Sequence, residues 1–138
     1  MASVDTNVSR NVILYAEDDL DDFESAKEIV DQLSDRYVLV NAKNGAEAVA
    51  YLEEHPGNLP CMVILDLNMP VMSGKEVLLW IKEREVYDHI PVMVFTTSSR
   101  EEDIRLCQMH DCTFFRKPTL YRDLLHIMQT MLNKCAQS

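Results

Sequence analysis

Short apolar runs alternate with stretches of helical periodicity along the whole chain. Val12–Ala16 (VILYA), Tyr37–Val40, Cys61–Leu65 (CMVIL), Val92–Phe95 and Thr113–Phe115 lack the in–out alternation of a half-solvated strand. Runs of this kind suit strands covered on both faces, as in a parallel sheet. Between them apolar residues recur at helical spacing. They are Phe23, Ala26, Ile29, Val30 and Leu33; then Ala46, Val49, Ala50 and Leu52; then Val77, Leu78 and Ile81; then Ile104 and Cys107; and last Leu120, Leu124, Leu125, Met128, Met131 and Leu132. Asn44-Gly45, His55-Pro56-Gly57-Asn58 and Pro91 punctuate the boundaries. Ser99 followed by Glu102 has capping-box spacing and is expected to open the fourth helix, which runs to about Met109. Five strands alternating with five helices predict an α/β fold with a parallel sheet between two helical layers. Residues 1–10 read as a loose polar tail, 11–134 as one domain and 135–138 as a short C-terminal tail.

Composition narrows the class. A chain of 138 residues holds one compact domain with a real core. The formal net charge of −10 makes nucleic acid a poor partner, because neutralising phosphates needs clustered Lys and Arg. No apolar run approaches the ~20 residues of a membrane span. The N-terminus lacks a basic segment followed by an apolar one, so neither a membrane partner nor a signal peptide is expected, and a cytoplasmic location follows. The four cysteines, Cys61, Cys107, Cys112 and Cys135, form no C-x-x-C pair. They are expected as reduced, mostly buried thiols acting as small hydrophobes.

Polar signals stand at strand ends. Glu17 and Asp18 follow the first strand, Asp66 the third, Thr96 the fourth and Lys117 the fifth. In a parallel sheet these C-terminal ends share one rim, where open α/β sheets bind ligands. If the first and third strands are neighbours, their acids meet. Such acids repel unless a cation sits among them. Hard oxygen donors with open positions suit Mg²⁺. A Lys opposite would neutralise added negative charge, and a Thr hydroxyl would donate to a phosphoryl oxygen. The parts add up to phosphoryl transfer onto the Asp66 carboxylate. Asp21 and Asp22 are expected only to favour the first helix dipole, and Asp19 to face solvent or open that helix.

The segment Asp66-Leu67-Asn68-Met69-Pro70-Val71-Met72-Ser73-Gly74 resembles the phospho-acceptor loop of response-regulator receiver domains, the CheY-like modules of two-component signalling. The likeness runs from about Val12 to the last helix. It implies a (βα)5 flavodoxin-like, doubly wound sheet of strand order 2-1-3-4-5. It implies Asp66 as phospho-acceptor, Thr96 as switch hydroxyl and Lys117 as the essential lysine. It further implies Mg²⁺ (or Mn²⁺) on Asp18, Asp66 and the backbone carbonyl of Asn68, with Glu17 acting largely through water. A cis peptide between Lys117 and Pro118 and an aromatic switch at Phe114, otherwise an ordinary core aromatic, complete the picture.

Implied partners are a histidine kinase or phosphotransfer protein and an unidentified downstream protein. The face of the fourth helix, fifth strand and fifth helix would meet that protein or a second copy of the chain. The Thr96-Thr97-Ser98 run and the Glu-Asp-Asp start also resemble small single-domain regulators paired with bacterial phytochromes. The family often has Asp where Ser73 stands. It commonly has Gly where the fourth helix ends His110-Asp111-Cys112, so Asp111 or His110 is expected to take a left-handed conformation.

The resemblance implies a signalling switch whose only chemistry is gaining and losing its own phosphoryl group. The alternative is a docking module that keeps the fold without using phosphate. A haloacid-dehalogenase-type phosphatase wants a second Asp where Asn68 stands. A flavin carrier would need a phosphate cradle where Glu17-Asp18-Asp19 repels one.

Overall fold

The structure, a computed structural model, describes residues 11–136 of the chain, so the expected 1–10 tail lies outside the described residues. The strands are β1 (Asn11–Ala16), β2 (Tyr37–Ala42), β3 (Met62–Leu65), β4 (Val92–Thr96) and β5 (Thr113–Arg116). The helices are α1 (Leu20–Leu33), α2 (Gly45–Glu54), α3 (Gly74–Lys82), α4 (Glu101–Met109) and α5 (Tyr121–Ala136), with a 3₁₀ turn at Glu85–Tyr87. The strands pair in parallel in the order β2-β1-β3-β4-β5. β1 and β3 are therefore neighbours, with Ala16 opposite Leu65. The next residue on each strand is acidic, so register alone brings Glu17 and Asp66 side by side.

The continuous apolar runs follow from burial on both faces. Alternate residues of one strand feed two cores. Ile13 and Tyr15 pack with Phe23, Ile29 and Met128 under α1 and α5. Leu14 and Ala16 pack with Leu52, Val77 and Leu78 under α2 and α3. On α2 the buried stripe is Gly45, Ala48 and Leu52, which leaves Ala46 exposed. Trp80 on α3 is half-buried, 5.4 Å from the Tyr87 ring, with the Arg84 guanidinium 4.1 Å above it.

Helix starts show which side chains fix the loops. Asp19 caps α1 by accepting from the amides of Asp21 (2.9 Å) and Asp22 (3.2 Å). Asn44 caps α2. Ser73 and Glu76 form a reciprocal capping box on α3. The box expected at Ser99 and Glu102 is not formed. α4 starts at Glu101, and its capping residue, Arg100, makes no side-chain cap. Ser98 is used instead: its hydroxyl accepts from the Arg100 amide (3.3 Å) and donates to Asp103 (2.7 Å). Past α4, Asp111 takes the left-handed conformation at φ 53°.

Three expectations are corrected. Among the described residues no peptide bond is cis, so Lys117–Pro118 is trans, the form that X–Pro bonds still prefer by about 0.5–1 kcal/mol. The cysteines are paired: Cys61 bonds Cys135, and Cys107 bonds Cys112, with Cα–Cα separations of 5.9 and 5.2 Å. The fold places the entry to β3 against the last turn of α5, and α4 turns back on itself at Cys112. Finally, α5 continues to Ala136 with Cys135 buried, so 135 and 136 belong to the domain. No helix among the described residues is long and apolar enough to cross a membrane.

Candidate functional site

The backbone delivers the site residues one step beyond the strands. The Glu17 amide donates to Ala42 (2.9 Å), the Asp66 amide to Ala16 (3.1 Å) and the Lys117 amide to Thr96 (2.8 Å). Sheet pairing thus continues into the site and fixes three functional residues by main chain. Asn41 reinforces the first: its side-chain amide donates to the carbonyls of Tyr15 (3.2 Å) and Glu17 (3.0 Å).

The Lys117 ammonium sits at the centre. It lies 2.5 Å from Glu17 Oε1, 2.8 Å from Asp66 Oδ2 and 2.8 Å from Asp22 Oδ2. Glu17 and Asp66 are buried, and Asp18 is exposed beside them. One oxygen from each of Glu17, Asp18 and Asp66 lies within 4.8 Å of the others. Three hard oxygen donors so arranged fit a divalent cation.

Electrostatics match. Burial pushes the Glu17 carboxyl up to about 7, with the Asp66 charge adding to the rise and Lys117 opposing it. Tyr15, buried, donates to Glu17 Oε1 (2.9 Å), and burial and the Glu17 charge hold its phenol well above its ordinary value. At Lys117, burial favours the neutral amine, but the hydrogen bonds it donates to Asp22, Asp66 and Glu17 outweigh it. The lysine stays protonated, with its pKa raised.

Thr96 is fully buried at the end of β4, and its Oγ1 accepts from the Ser98 amide at 3.4 Å. Asn68 is exposed, two residues past Asp66, and its amide donates to Asp66 Oδ1 (3.1 Å). Phe114 is half-buried and packs against the small cluster of Leu67, Val94 and Cys107. The structure thus gathers Glu17, Asp18, Asp66 and Lys117 and sets Thr96 on the same rim, with Phe114 one layer beneath.

Asp22 is the participant that the sequence reading left out. A carboxylate in a first helical turn is explained by the dipole alone, yet Asp19 as cap turns that first turn so that Asp22 reaches Lys117. Val71, in the loop after Asp66, has φ 67°, is exposed, and is spanned by a 2.7 Å bond from the Met72 amide to the Pro70 carbonyl. A β-branched residue there is strained.

A lysine held by three carboxylates thus stands at the C-terminal rim of a 2-1-3-4-5 sheet. The family model for the response regulator receiver domain matches residues 13–129, and the chain belongs to that family. The response regulator Rcp1 of Synechocystis is 32% identical over 123 residues, covering 86% of this chain and 84% of Rcp1. The Mn(2+)-bound form of Rcp1 superposes with TM-score 0.79 at 30% identity, covering 88% of this chain and 91% of that one. The phosphorylated cyanobacterial phytochrome response regulator RcpA gives TM-score 0.81 at 28% identity, covering 89% and 91%. The protein is a phospho-accepting receiver of two-component signalling.

Proposed function

We propose that Asp66 is the phospho-acceptor, taking its phosphoryl group from a phosphohistidine on a histidine kinase or phosphotransfer protein. The observation that carries this is the Lys117 ammonium 2.8 Å from Asp66 Oδ2, with Glu17 and Asp18 alongside. A carboxylate oxygen of Asp66 attacks phosphorus. The O–P bond forms, the P–N bond breaks, and the electron pair stays on the imidazole nitrogen. Lys117 follows the negative charge from carboxylate to phosphoryl oxygens, and the Thr96 hydroxyl donates to another of them.

Glu17, Asp18, Asp66 and the Asn68 carbonyl are the groups that would hold Mg²⁺ or Mn²⁺. Bound there, the ion supplies positive charge that keeps the carboxylates ionised and screens the incoming phosphoryl group. As Thr96 moves toward Asp66 it leaves space beside β4, and Phe114 turns into it. The α4–β5–α5 face changes shape for a downstream protein or a second copy of the chain. Exposed Met109 and half-buried Phe114 and Phe115 lie on that face.

Borohydride reduction after treatment with a small phosphodonor tests the acceptor. It converts an acyl phosphate to an alcohol, and peptide mass reads which position changed. The expected site is 66; conversion elsewhere, or none, would sink the proposal.

A further inference from the structure

Asp103 lies outside the acid site, on the first turn of α4, and is 1% exposed. Such carboxylates are rarely buried unless paired. This one is paired to two loops at once. Its Oδ1 is 2.8 Å from Lys75 Nζ, and Lys75 directly follows Gly74 of the acceptor loop. Its Oδ2 accepts from the Ser98 hydroxyl (2.7 Å) and from Arg100 Nε (3.3 Å). Ser98 belongs to the loop that carries Thr96, and its amide donates to Thr96 Oγ1. A continuous chain of contacts therefore runs from the acceptor loop through Lys75, Asp103 and Ser98 to the hydroxyl of Thr96. The Lys75 and Arg100 charges, with the Ser98 bond, hold the Asp103 carboxyl below its ordinary value although burial works the other way, so it is ionised across the neutral range.

We infer that Asp103 is a positioning residue. It clamps the Thr96–Arg100 loop to the start of α3 in the resting state and sets how readily Thr96 moves toward Asp66. In this clamp the Ser98 amide, bonded to Thr96 Oγ1 at 3.4 Å, couples movement of Thr96 toward Asp66 to displacement of Ser98. That displacement stretches a charge-assisted hydrogen bond, the stronger kind. The clamp therefore opposes the switched arrangement, and loosening it favours that arrangement. The inference rests on Asp66 being the acceptor.

The test compares the parent with Asp103→Asn, Ser98→Ala and Ser98→Thr. Phosphoryl uptake from phosphoramidate is followed by intact mass, and hydrogen exchange of the Ser98 amide is followed without phosphodonor. Asp103→Asn and Ser98→Ala are expected to speed uptake by roughly tenfold or more, as suits loss of one hydrogen bond to a charged group. Both are expected to quicken Ser98 exchange. Ser98→Thr keeps the hydroxyl and is expected to behave as the parent. A variant that merely packs worse would not gain rate.

Uptake unchanged or slowed in both variants, with the parent phosphorylating normally, overturns the clamp and leaves the acceptor reading intact. A parent that takes up nothing overturns the acceptor reading and the functional part of the clamp with it. The exchange data still decide whether Asp103 restrains the loop. Should Asp103→Asn fail to fold, Ser98→Ala carries the decision.

Discussion

Lys117 faces three carboxylates with one positive charge, so the site is short of cations by design of its neighbours. Removing that charge in Lys117→Gln leaves buried Glu17 and Asp66 uncompensated. A loss of about 3 kcal/mol is expected without divalent cation, since breaking a buried pair strands its partners. Added Mg²⁺ should restore part of it; urea denaturation with and without the ion checks both. Glu17 gives a pH signature. Its folded pKa of about 7 exceeds its ordinary 4.5, so the native state binds more protons than the unfolded state between those values. In chelator, this group's contribution is fully present below 4.5 and is lost as pH rises through about 7. Denaturation midpoints at pH 5.5 and 7.5 should differ in that sense, and Glu17→Gln should flatten the difference. A proton and a cation compete for the same carboxylate, so apparent Mg²⁺ affinity should climb over the same window.

At the scale of elements, the loop from Asp66 to Gly74 is pinned by the starts of two helices. The Gly45 amide at the head of α2 donates to Met72 (2.9 Å), and the Gly74 amide at the head of α3 donates to Leu67 (3.2 Å). A Cβ on Gly74 would collide with the Asp66 carbonyl. Gly74→Ala is therefore expected to displace the loop. It should cost roughly 1–3 kcal/mol, as overpacking does, and slow phosphorylation at Asp66. Val71 carries strain in the same loop, and Val71→Asn should relieve it. A gain of about 1 kcal/mol is expected, because Asn tolerates left-handed backbone better; thermal unfolding would show it.

The central strands β1, β3 and β4 were legible because burial on both faces leaves unbroken apolar runs, the half-exposed edge strands β2 and β5 because short β-branched and aromatic runs sit between turn residues, and the helices because they keep their own period. Glu17, Asp66, Thr96 and Lys117 were legible because each ends a strand. Asp22, Asp103 and the cysteine pairs were not. Asp22 meets Lys117, Cys61 meets Cys135 and Asp103 meets Lys75 across elements remote in sequence, while Cys107 and Cys112 are brought together by the turn that ends α4; locally each had a sufficient bland explanation. The start of α4 misled for a related reason. Ser99 has the spacing of a cap, but buried Asp103 recruits Ser98 and shifts the helix entry.

For the whole molecule, the strand order does the assembling. Placing β1 beside β3 joins acids that lie 49 positions apart (66 − 17) in one pocket. The fifth strand returns Lys117 across the rim to meet them. Phosphorylation would add nearly two negative charges to a site already rich in them. Phosphoryl uptake is therefore expected to depend jointly on the Asp66 carboxylate and on a divalent cation. The direct measurement is intact mass after incubation with a small phosphodonor, with and without Mg²⁺, on the parent and on Asp66→Asn. A gain of one phosphoryl group by the parent only when Mg²⁺ is present, and none by the variant, is the predicted result. No gain by the parent at high Mg²⁺, or an equal gain by Asp66→Asn, would contradict it.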